Sequence, residues 1–496
     1  MSNLLLNYLK NTPHENINTG AVSFLSNLEK TKEVSPSIAE HILNELKDQR
    51  SNLKLIASEN FSSLSVQAAM GNLLTDKYAE GFPYNRFYAG CDNVDKIEDE
   101  ARTLAMQLFG AEHAYVQPHS GADANLVAFL AILFSKVQRP FLKKEGTEEK
   151  PADINKLSRE VFNEMREIYG RQKLMALDLY SGGHLTHGYR LNVSSLLFDV
   201  YPYSVNKETN LLDMDEIRKQ AQEVKPLILL AGYSAYSRRI NFAKMREIAD
   251  EVGAVFWVDM AHFAGLVAGG AFTGDFNPVA HAHICTTTTH KTLRGPRGGM
   301  VLSNKELGEF VDKGCPAILG GPLPHVMAAK AVAFKEALGE DFKSYAKNII
   351  NNASHLSEAF IKKGVKVLTG GTDNHLMLLD VATTYGLTGR QAESAVRAGG
   401  ITLNRNGLPF DKNGPWYTSG LRLGTPATTT LGMGANEMSE IAEILHNILK
   451  NTKPTTTKTG DPSRANFETD QSVVKESKEK VKALLDKFPL YPEIEI

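Results

Sequence analysis

Short apolar runs alternate with amphipathic stretches over most of the chain, from about residue 53 to residue 323. Polar or glycine-rich segments bound each run, as expected for strands that are buried between helices. Such alternation is typical of a mostly parallel sheet covered by helices, and it predicts an α/β domain. The predicted strands are 111–116, 173–177, 196–201, 227–231, 254–259, 283–288 and 298–303.

The chain beyond this region predicts a smaller α+β unit. A long helix is predicted from Pro324 to about Leu338, and a last amphipathic helix is predicted over 471–488. The segment 450–461 is rich in Thr and Lys and predicts a loop. The remaining short apolar runs predict strands at 364–368, 374–381 and 400–403.

Residues 137–172 interrupt the alternation and are interpreted as an insertion. The segment 143–150 is dense in charge and is expected to be exposed. Apolar residues then recur every three or four positions and predict one amphipathic helix; they are Ile154, Leu157, Val161, Met165 and Ile168. We expect an N-terminal extension and helical arm over 1–50, a large domain over 51–325 and a small domain over 326–496.

Composition and charge narrow the class of protein. The chain has 496 residues, of which 42% are hydrophobic, and its net charge of −2 provides no basic field for nucleic acid or membranes. Cys91, Cys285 and Cys315 are odd in number and widely spaced, so they indicate no metal-ligand cluster and no obvious disulfide framework, which fits a reducing cytosol. No signal peptide and no apolar run long enough to cross a bilayer are expected. We therefore expect a cytoplasmic protein without nucleic-acid or membrane partners.

Lys291 lies where the predicted strand 283–288 ends, after a run of threonines. Open α/β sheets bind ligands at the carboxyl ends of their strands. A lysine there can form a Schiff base with a carbonyl cofactor if its amine is kept neutral. The alternative is a surface lysine, which is what most lysines are. Asp259 ends the preceding strand, where a carboxylate can keep a pyridine nitrogen protonated or simply cap a helix.

Three further motifs fit a pyridoxal phosphate enzyme, which also needs a phosphate cradle and a cation for the substrate carboxylate. Ser120 and Gly121 precede a helical run, and the backbone amides at the start of a helix can bind a phosphate. The alternative is that Ser120 only caps the helix. Arg422 lies between glycines and can hold a carboxylate through two hydrogen bonds, or be an ordinary surface arginine. Glu80, among tyrosines, can act as a general acid–base or be a solvated carboxylate.

His184 and His187 lie in a loop that has glycines on both sides. His184 can lie flat against a pyridine ring, whereas a histidine pair in a loop is otherwise structural. The spacing of the two also suits zinc, but no further His, Cys or Glu at a suitable spacing supports a metal. We therefore expect no metal.

Together these motifs resemble the serine hydroxymethyltransferase family. The resemblance implies fold type I of the pyridoxal phosphate enzymes, an aspartate aminotransferase-like fold with its site at a dimer interface. It implies reversible conversion of serine and tetrahydrofolate to glycine and 5,10-methylenetetrahydrofolate. The matching segments keep their order along the chain: LIASENF (55–61), KYAEGFPYNRFYAGC (77–91), VQPHSGADAN (116–125), GGHLTHG (182–188), GYSAYS (232–237), VDMAHFAGLVAGG (258–270), TTTTHKTLRGPRGG (286–299), GGPLPH (320–325) and SGLRLGTPA (419–427).

The resemblance implies a set of contacts with pyridoxal 5'-phosphate. Lys291 would carry the cofactor as a Schiff base, Asp259 would pair with the pyridine nitrogen, and His184 would stack on the ring. Further positions would hold the phosphate, partly from the neighbouring subunit, or contact the phenolic oxygen. They are Ser120, Gly121, His290, Gly320 and Gly321 for the phosphate, and Ser234 and His262 for the phenolic oxygen.

The resemblance also implies contacts with the substrates, serine or glycine and tetrahydrofolate. Arg422, with Ser58, would bind the amino acid carboxylate, and Glu80 would handle the proton on the serine hydroxyl or the folate adduct. The implied catalytic set is completed by Lys291, Tyr88 and His290. Tyr78, Glu80 and Tyr88 would enter from the partner subunit of a homodimer or tetramer, and the pteridine would contact Leu179, Gly183 and Asn406.

The chain departs from the family pattern at a few places. Ala122 stands where the family usually has serine, the run 315–319 with Leu319 replaces a glycine-containing run, and Leu431 stands where arginine is frequent. These changes bear on cofactor affinity and side reactions rather than on the main assignment.

A folate-independent β-hydroxy amino acid aldolase of the same fold is the alternative, and Glu80 and Asn406 favour the folate enzyme. A non-catalytic protein on this scaffold is the third reading, against which the retained lysine, aspartate and arginine argue.

Overall fold

The structure is a computed structural model that describes residues 3–146 and 154–496. The expected helical arm is present within residues 1–50, and its third helix has Pro36 in the first turn, where the fixed φ of proline favours it. The first elements are α1 (Leu4–Asn11), α2 (Thr19–Val34), α3 (Pro36–Ser51), β1 (Leu53–Lys54), α4 (Leu64–Met70), β2 (Gly81–Phe82), β3 (Asn85–Arg86) and α5 (Asp92–Phe109).

A seven-stranded sheet lies behind the candidate site. Its strands are β4 (His113–Tyr115), β5 (Lys173–Leu177), β6 (Asp199–Tyr203), β7 (Ile228–Gly232), β8 (Val255–Asp259), β9 (Ile284–Thr288) and β10 (Gly299–Ser303). They are ordered β4-β10-β9-β8-β7-β5-β6, and only β10 runs antiparallel to its neighbours. The predicted mostly parallel α/β class is confirmed. The strand predicted at 196–201 begins later, at Asp199, because residues 194–197 form a helical turn.

The sheet separates two apolar cores, because successive side chains of a strand point to opposite faces. In β8, Phe256 and Val258 lie in one core, whereas Val255 and Trp257 lie in the other. Both faces are covered, so the central strands are buried along their whole length. The covering helices are α6 (Gly121–Leu133), α7 (Arg139–Lys144), α8 (Arg159–Gly170), α9 (Ser194–Leu197), α10 (Met214–Val224), α11 (Phe242–Val252), α12 (Ala264–Ala268), α13 (Pro278–His281), α14 (Lys305–Val311) and α15 (Gly314–Ala317).

A π-helical turn at Phe134–Gln138 joins α6 and α7 into one helical stretch, Gly121–Lys144. By length and composition this stretch could cross a membrane, so the expectation that no run is long enough was wrong. Of its most apolar window, 67% is buried inside the protein, as in a core helix. Phe129 and Ile132, for example, pack in the core on one face of the sheet.

The predicted helix of the insertion is confirmed in part. It begins after Ser158 rather than at Ile154, because the Ser158 hydroxyl accepts a hydrogen bond from the N–H of Val161 and caps α8. Ile154 still packs with the α8 residue Met165 in a small cluster that includes residues of α7. Of the charged segment, residues 143–146 are exposed as expected, and 147–150 lie outside the described residues.

The C-terminal part confirms some predictions and overturns others. The predicted helices at Pro324 and at 471–488 are present, and the strand predicted at 374–381 is confirmed as 376–380. The elements are α16 (Pro324–Ala337), α17 (Glu340–Lys362), β11 (Leu376–Asp380), α18 (Val381–Tyr385), α19 (Gly389–Ala398), β12 (Ile401–Thr402), β13 (Asn404–Asn406), α20 (Gly414–Tyr417), β14 (Gly420–Gly424), α21 (Pro426–Thr430), α22 (Ala435–Lys450), β15 (Thr452–Thr456), β16 (Pro462–Thr469) and α23 (Gln471–Lys487).

Two predictions for this part were wrong. Segment 364–368 forms an isolated bridge from Val367 to Leu379 instead of a strand. Segment 450–461 contains β15, which pairs with β16 in a hairpin, because its β-branched threonines suit a half-exposed strand. The strand predicted at 400–403 exists as β12, but it pairs with β1 outside the three-stranded sheet β11-β14-β13. Strand β14, which carries Arg422, was not predicted.

Candidate active site

Two adjoining cavities open at the carboxyl ends of β7, β8 and β9, where open α/β sheets bind ligands. The inner cavity has a volume of about 330 Å³ and is lined by the predicted ring contacts and by three of the predicted phosphate contacts, Ser120, Gly121 and His290. The outer cavity has a volume of about 460 Å³ and is lined by Arg422 and the predicted pteridine contacts Leu179, Gly183 and Asn406. Both cavities are lined by Ser58, His184, Ser234, His262 and Lys291.

Lys291 lies between the two cavities, three residues after the end of β9. Its backbone carbonyl accepts a hydrogen bond of 2.9 Å from the side-chain amide of Asn60. Burial, aided by the guanidinium groups of Arg422 and Arg297 and opposed by Asp259, lowers the pKa of Lys291 to about 8. About a tenth of the amine is therefore neutral and nucleophilic at pH 7, far more than for a free lysine.

Asp259 ends β8 and is almost fully buried beside this lysine. Its Oδ2 atom lies 2.9 Å from the side-chain nitrogen of Asn125 and 3.0 Å from Nε2 of His187, and Oδ1 accepts from the Ala261 N–H at 3.0 Å. Burial opposes ionisation, but these hydrogen bonds and the neighbouring histidines hold the pKa of Asp259 well below its usual range. The carboxylate is therefore charged and oriented, as an acid that pairs with a pyridinium nitrogen must be.

His184 begins a short helical turn, and its Nδ1 atom lies 2.8 Å from the hydroxyl of Thr186. Burial lowers the pKa of His184 to about 4, so the ring is uncharged at neutral pH and can lie against an aromatic ring. The fold also brings Asp259 near both loop histidines, with ligand atoms within 4.8 Å of one another. The sequence spacing had not indicated this third group. Its Oδ2 atom already accepts hydrogen bonds from His187 and Asn125, which suits a carboxylate that faces a cationic nitrogen.

The predicted phosphate cradle lies at the start of α6. The Ser120 hydroxyl accepts from the N–H of Asp123 at 3.2 Å, so the capping role is present as well. The first amides of the helix have no partner within it. A Cβ on Gly121 would lie 2.7 Å from a methyl carbon of Thr288, so only glycine lets this turn approach β9 so closely. Ala122 also lines the cavity, at the position where the family usually has serine.

Two cationic or polar groups complete the inner cavity. Burial, with Arg297 and Lys291, lowers the pKa of His290 to about 3, and its buried Nδ1 has no hydrogen-bond partner in the described part of the chain. Arg297 also lines the cavity. It was missed in the sequence, although it lies among glycines as Arg422 does. Amides, a free imidazole nitrogen and a guanidinium fit a phosphate, and Asp259 fits a pyridine nitrogen, so the residues present fit pyridoxal phosphate.

Arg422 extends from β14 toward the outer cavity and is not a surface arginine. Its Nε donates to the side-chain oxygen of Asn404 at 3.1 Å, and Nη1 donates to the Ser234 carbonyl at 2.7 Å. Burial lowers the pKa of Arg422 to about 10, so the guanidinium stays charged at neutral pH. A charged and pre-oriented guanidinium in a cavity is suited to bind a carboxylate.

His262 and His375 form a buried stacked pair behind the cofactor cavity. Nδ1 of His262 lies 3.2 Å from Nε2 of His375, and the ring centroids are 5.4 Å apart. Burial lowers the pKa of both rings, that of His375 to about 3, so both are neutral. His375 comes from the segment before β11, and nothing in the local sequence indicated its place beside His262.

The remaining predicted site residues do not line either cavity. Tyr78, Glu80, Tyr88, Gly320 and Gly321 gather elsewhere on the chain, and we call them the Glu80 cluster. The Tyr88 hydroxyl donates to Glu80 at 3.2 Å, and the rings of Tyr78 and Tyr88 lie 5.0 Å apart. Tyr78 and Tyr88 are 57% and 45% exposed. A single chain therefore does not bring this cluster to Lys291.

A buried ionic network holds the segment that carries the Glu80 cluster. Arg86 is almost fully buried, and it donates to Asp95 at 2.8 Å and to Glu98 at 2.7 Å. Gln117 donates to the second oxygen of Glu98 at 2.8 Å. The N–H of Gly81 also contacts the sulfur of Cys315, which belongs to the run that departs from the family pattern. The exposed cluster is thus presented on a rigid support.

Comparison with known proteins gives one family. A family model described as Serine hydroxymethyltransferase matches residues 31–139 and 155–445. The serine hydroxymethyltransferase of Treponema pallidum is 58% identical over 488 residues, which are 98% of this chain and 84% of that protein. That of Chlamydia trachomatis serovar D is 51% identical over 498 residues, 100% of this chain and 99% of that protein. That of Cutibacterium acnes is 52% identical over 476 residues, 96% of each chain.

Proposed function

The chain belongs to the serine hydroxymethyltransferase family, and from that premise we propose which of its residues perform the family's reaction. The protein is a pyridoxal phosphate-dependent enzyme that transfers the hydroxymethyl carbon of serine to tetrahydrofolate and releases glycine and 5,10-methylenetetrahydrofolate. Full-length relatives that carry this name favour it over the folate-independent aldolase. The reaction is reversible, and it serves one-carbon and serine–glycine metabolism.

The single observation that supports the assignment of roles is the pairing of Lys291 and Asp259 in one cavity. Bound pyridoxal phosphate supplies an electron sink for bonds at the amino acid Cα. Lys291, with its lowered pKa, would hold the aldehyde carbon of the cofactor, and the charged Asp259 would keep the pyridine nitrogen protonated. The uncharged His184 would lie against the ring, and Ser234 and His262, which line the same cavity, would contact the phenolic oxygen.

The outer cavity supports the assignment of the substrate contacts. Arg422, with Ser58 nearby, binds the carboxylate of serine or glycine and so orients the bonds at Cα. The pteridine of tetrahydrofolate lies against Leu179, Gly183 and Asn406, which line the same cavity. The outer cavity thus offers a carboxylate site for the amino acid and a partly apolar wall for the pteridine, both next to Lys291. Such an arrangement fits two substrates that exchange a single carbon.

The Glu80 cluster supports the proposal that the active enzyme is a homodimer. Glu80 has the chemistry of the acid–base that moves the proton of the serine hydroxyl, yet it does not line the cavity of its own chain. A two-fold symmetric contact can bring the cluster of one subunit to the cavity of the other. Three free cysteines support a reducing compartment, and we extend the proposal to the cytoplasm.

The visible spectrum of the purified enzyme tests these roles together. We expect an absorbance band of the bound cofactor that changes with glycine, and a long-wavelength band that grows strongly only when tetrahydrofolate is added as well. If the absorbance of the cofactor does not respond to tetrahydrofolate, the folate contacts proposed for Leu179, Gly183 and Asn406 are contradicted. Absence of a cofactor band in the wild-type enzyme would contradict the role of Lys291.

A further inference from the structure

Lys330 is a buried lysine on α16 that the proposed mechanism does not use. Its side chain is 1% exposed. Its ammonium donates to three carbonyl oxygens, those of Val116 at 2.6 Å, Pro118 at 3.0 Å and Gly299 at 2.8 Å. Lysine is almost never fully buried without partners, so these bonds account for its presence in the interior.

The three carbonyls belong to the two segments that border the inner cavity. Val116 and Pro118 lie between β4 and α6, directly before Ser120. Gly299 begins β10, and its N–H donates to the Pro118 carbonyl at 2.9 Å. The ammonium of Lys330 therefore joins α16 to the segment before the phosphate cradle and to the strand after the Lys291 loop.

The geometry favours the protonated form of this lysine. An ammonium has three N–H donors, which matches the three carbonyl acceptors. Burial lowers the pKa of Lys330 to about 7, and the carboxylates of Glu98 and Asp123 oppose that shift. The charge also reaches the cavity, because Lys330 contributes to the lowered pKa of His290.

We propose that Lys330 is a positioning residue that holds the Ser120–Gly121 turn in its phosphate-binding shape and adds buried positive charge beside it. Without the ammonium, the carbonyls of Val116, Pro118 and Gly299 each lose one hydrogen bond, and Pro118 keeps only that from the Gly299 N–H. The segment before Ser120 then shifts to regain donors. A cation near a phosphate is worth most where water is excluded. The inference rests on the proposed function, because it takes the cavity of Lys291 as the cofactor site.

Gly298 gives a second way to disturb the same contact. A Cβ at Gly298 would lie 2.6 Å from Cε and 3.0 Å from Nζ of Lys330. These atoms are the far end of a flexible side chain, so an alanine at Gly298 displaces the ammonium and leaves the backbone in place. Gly170, at the end of α8, has no atom within 4 Å of the corresponding position and provides the matched glycine control.

The test compares binding of pyridoxal phosphate with that of pyridoxal, which lacks the phosphate. Cofactor is removed from the purified full-length enzyme, and both dissociation constants are measured by equilibrium dialysis. We expect Lys330→Met to weaken binding of pyridoxal phosphate by roughly tenfold to a hundredfold and to change that of pyridoxal by less than about twofold. Lys335→Met, on the exposed face of α16, is the control and should change neither.

Gly298→Ala should give the same phosphate-selective loss if Lys330→Met does not fold, and Gly170→Ala should not. Equal weakening of pyridoxal phosphate and pyridoxal in the folded variants would overturn the inference, since it would show general loosening of the interior. Unchanged binding of both would overturn it as well. If the wild-type enzyme itself binds the two compounds equally, the phosphate cradle is wrong, and the failure belongs to the proposed function.

Discussion

The Lys291 cavity and the Glu80 cluster differ in how much of their environment one chain supplies. In the cavity, burial by the same chain lowers the pKa of Lys291 to about 8 and that of His184 to about 4. In the cluster, the tyrosines around Glu80 are about half exposed and Glu80 itself is half-buried, so the group that is proposed to move a proton is accessible to water. Under the proposed roles, burial within one subunit prepares the groups that would hold the cofactor, whereas the proposed acid–base Glu80 would need the cover of a second subunit.

The largest effect is expected from loss of the group at the centre of the cavity. Lys291→Ala should reduce serine turnover by more than about a thousandfold, because a covalent group is removed. Turnover is measured as tetrahydrofolate-dependent formation of glycine, with the exposed-surface variant Lys335→Ala as the control. Full turnover by Lys291→Ala would contradict the assignment of the chemistry to the Lys291 cavity.

The cluster is expected to act across the subunit boundary. Glu80→Gln should lower kcat by about a hundredfold or more and leave cofactor binding unchanged, because Glu80 does not line the cavity of its own chain. When Glu80→Gln and Lys291→Ala subunits are mixed and allowed to exchange, activity should return to about a quarter of the wild-type value. Half of the random dimers then contain one intact site of two.

The mixing experiment has its own control. Mass spectrometry of the intact dimers, with one variant isotope-labelled, reports independently of activity whether exchange occurs at all. If mixed dimers form and activity does not return, Glu80 acts within its own chain, and the contrast between the two regions disappears.

A smaller and more selective effect is expected at Arg422. Arg422→Ala should weaken binding of glycine and serine by roughly 30- to 100-fold, because a charged hydrogen-bond partner of the carboxylate is lost. Binding of pyridoxal phosphate should change little, since Arg422 lines the outer cavity only. Titrations with each ligand measure both, and exposed Arg464→Ala is the control. Equal loss for amino acid and cofactor would assign Arg422 a structural role.

The smallest change concerns pH. A lysine pKa lowered to about 8 means that the neutral amine of Lys291 increases as pH rises through 8, rather than through the usual 10.5. The rate at which pyridoxal is trapped on the protein by borohydride should therefore rise with a midpoint near that lower value, as judged against free Nα-acetyllysine. Lys291→Ala should show no site-specific trapping. A midpoint near that of free lysine would show that burial does not prepare the amine.

Two parts of the site found from sequence, Lys291 and Asp259, share a place at the end of an apolar strand. Lys291 and Asp259 follow the predicted strands 283–288 and 254–259, and both strands exist. The groups that were missed come from other elements. Asn125 reaches Asp259 from α6, and His375 reaches His262 from the segment before β11. Their local sequence carries no signal, because their contacts are 134 and 113 residues away along the chain.

The same division applies to the small strands. Strand β14 was not predicted because Gly420–Gly424 has glycine at both ends and a charged centre, yet pairing with β11 and β13 makes it the middle strand of its sheet. The threonines of β15 favoured a loop by composition, and the hairpin partner β16 turned them into a strand. Short strands depend on partners that are distant in sequence, so local pattern alone does not decide them.

The amino-acid sequence by itself determined the α/β class, the family resemblance, and the positions of the lysine and the aspartate, because apolar periodicity and strand ends are local properties. Only the tertiary structure decided the charge states of these groups and the division of the site into two adjoining cavities and an exposed cluster. It also placed the ammonium of Lys330 between three distant carbonyls. The physical reason is that burial and hydrogen bonding, which shift a pKa and fix a side chain, are made by residues that only folding brings together.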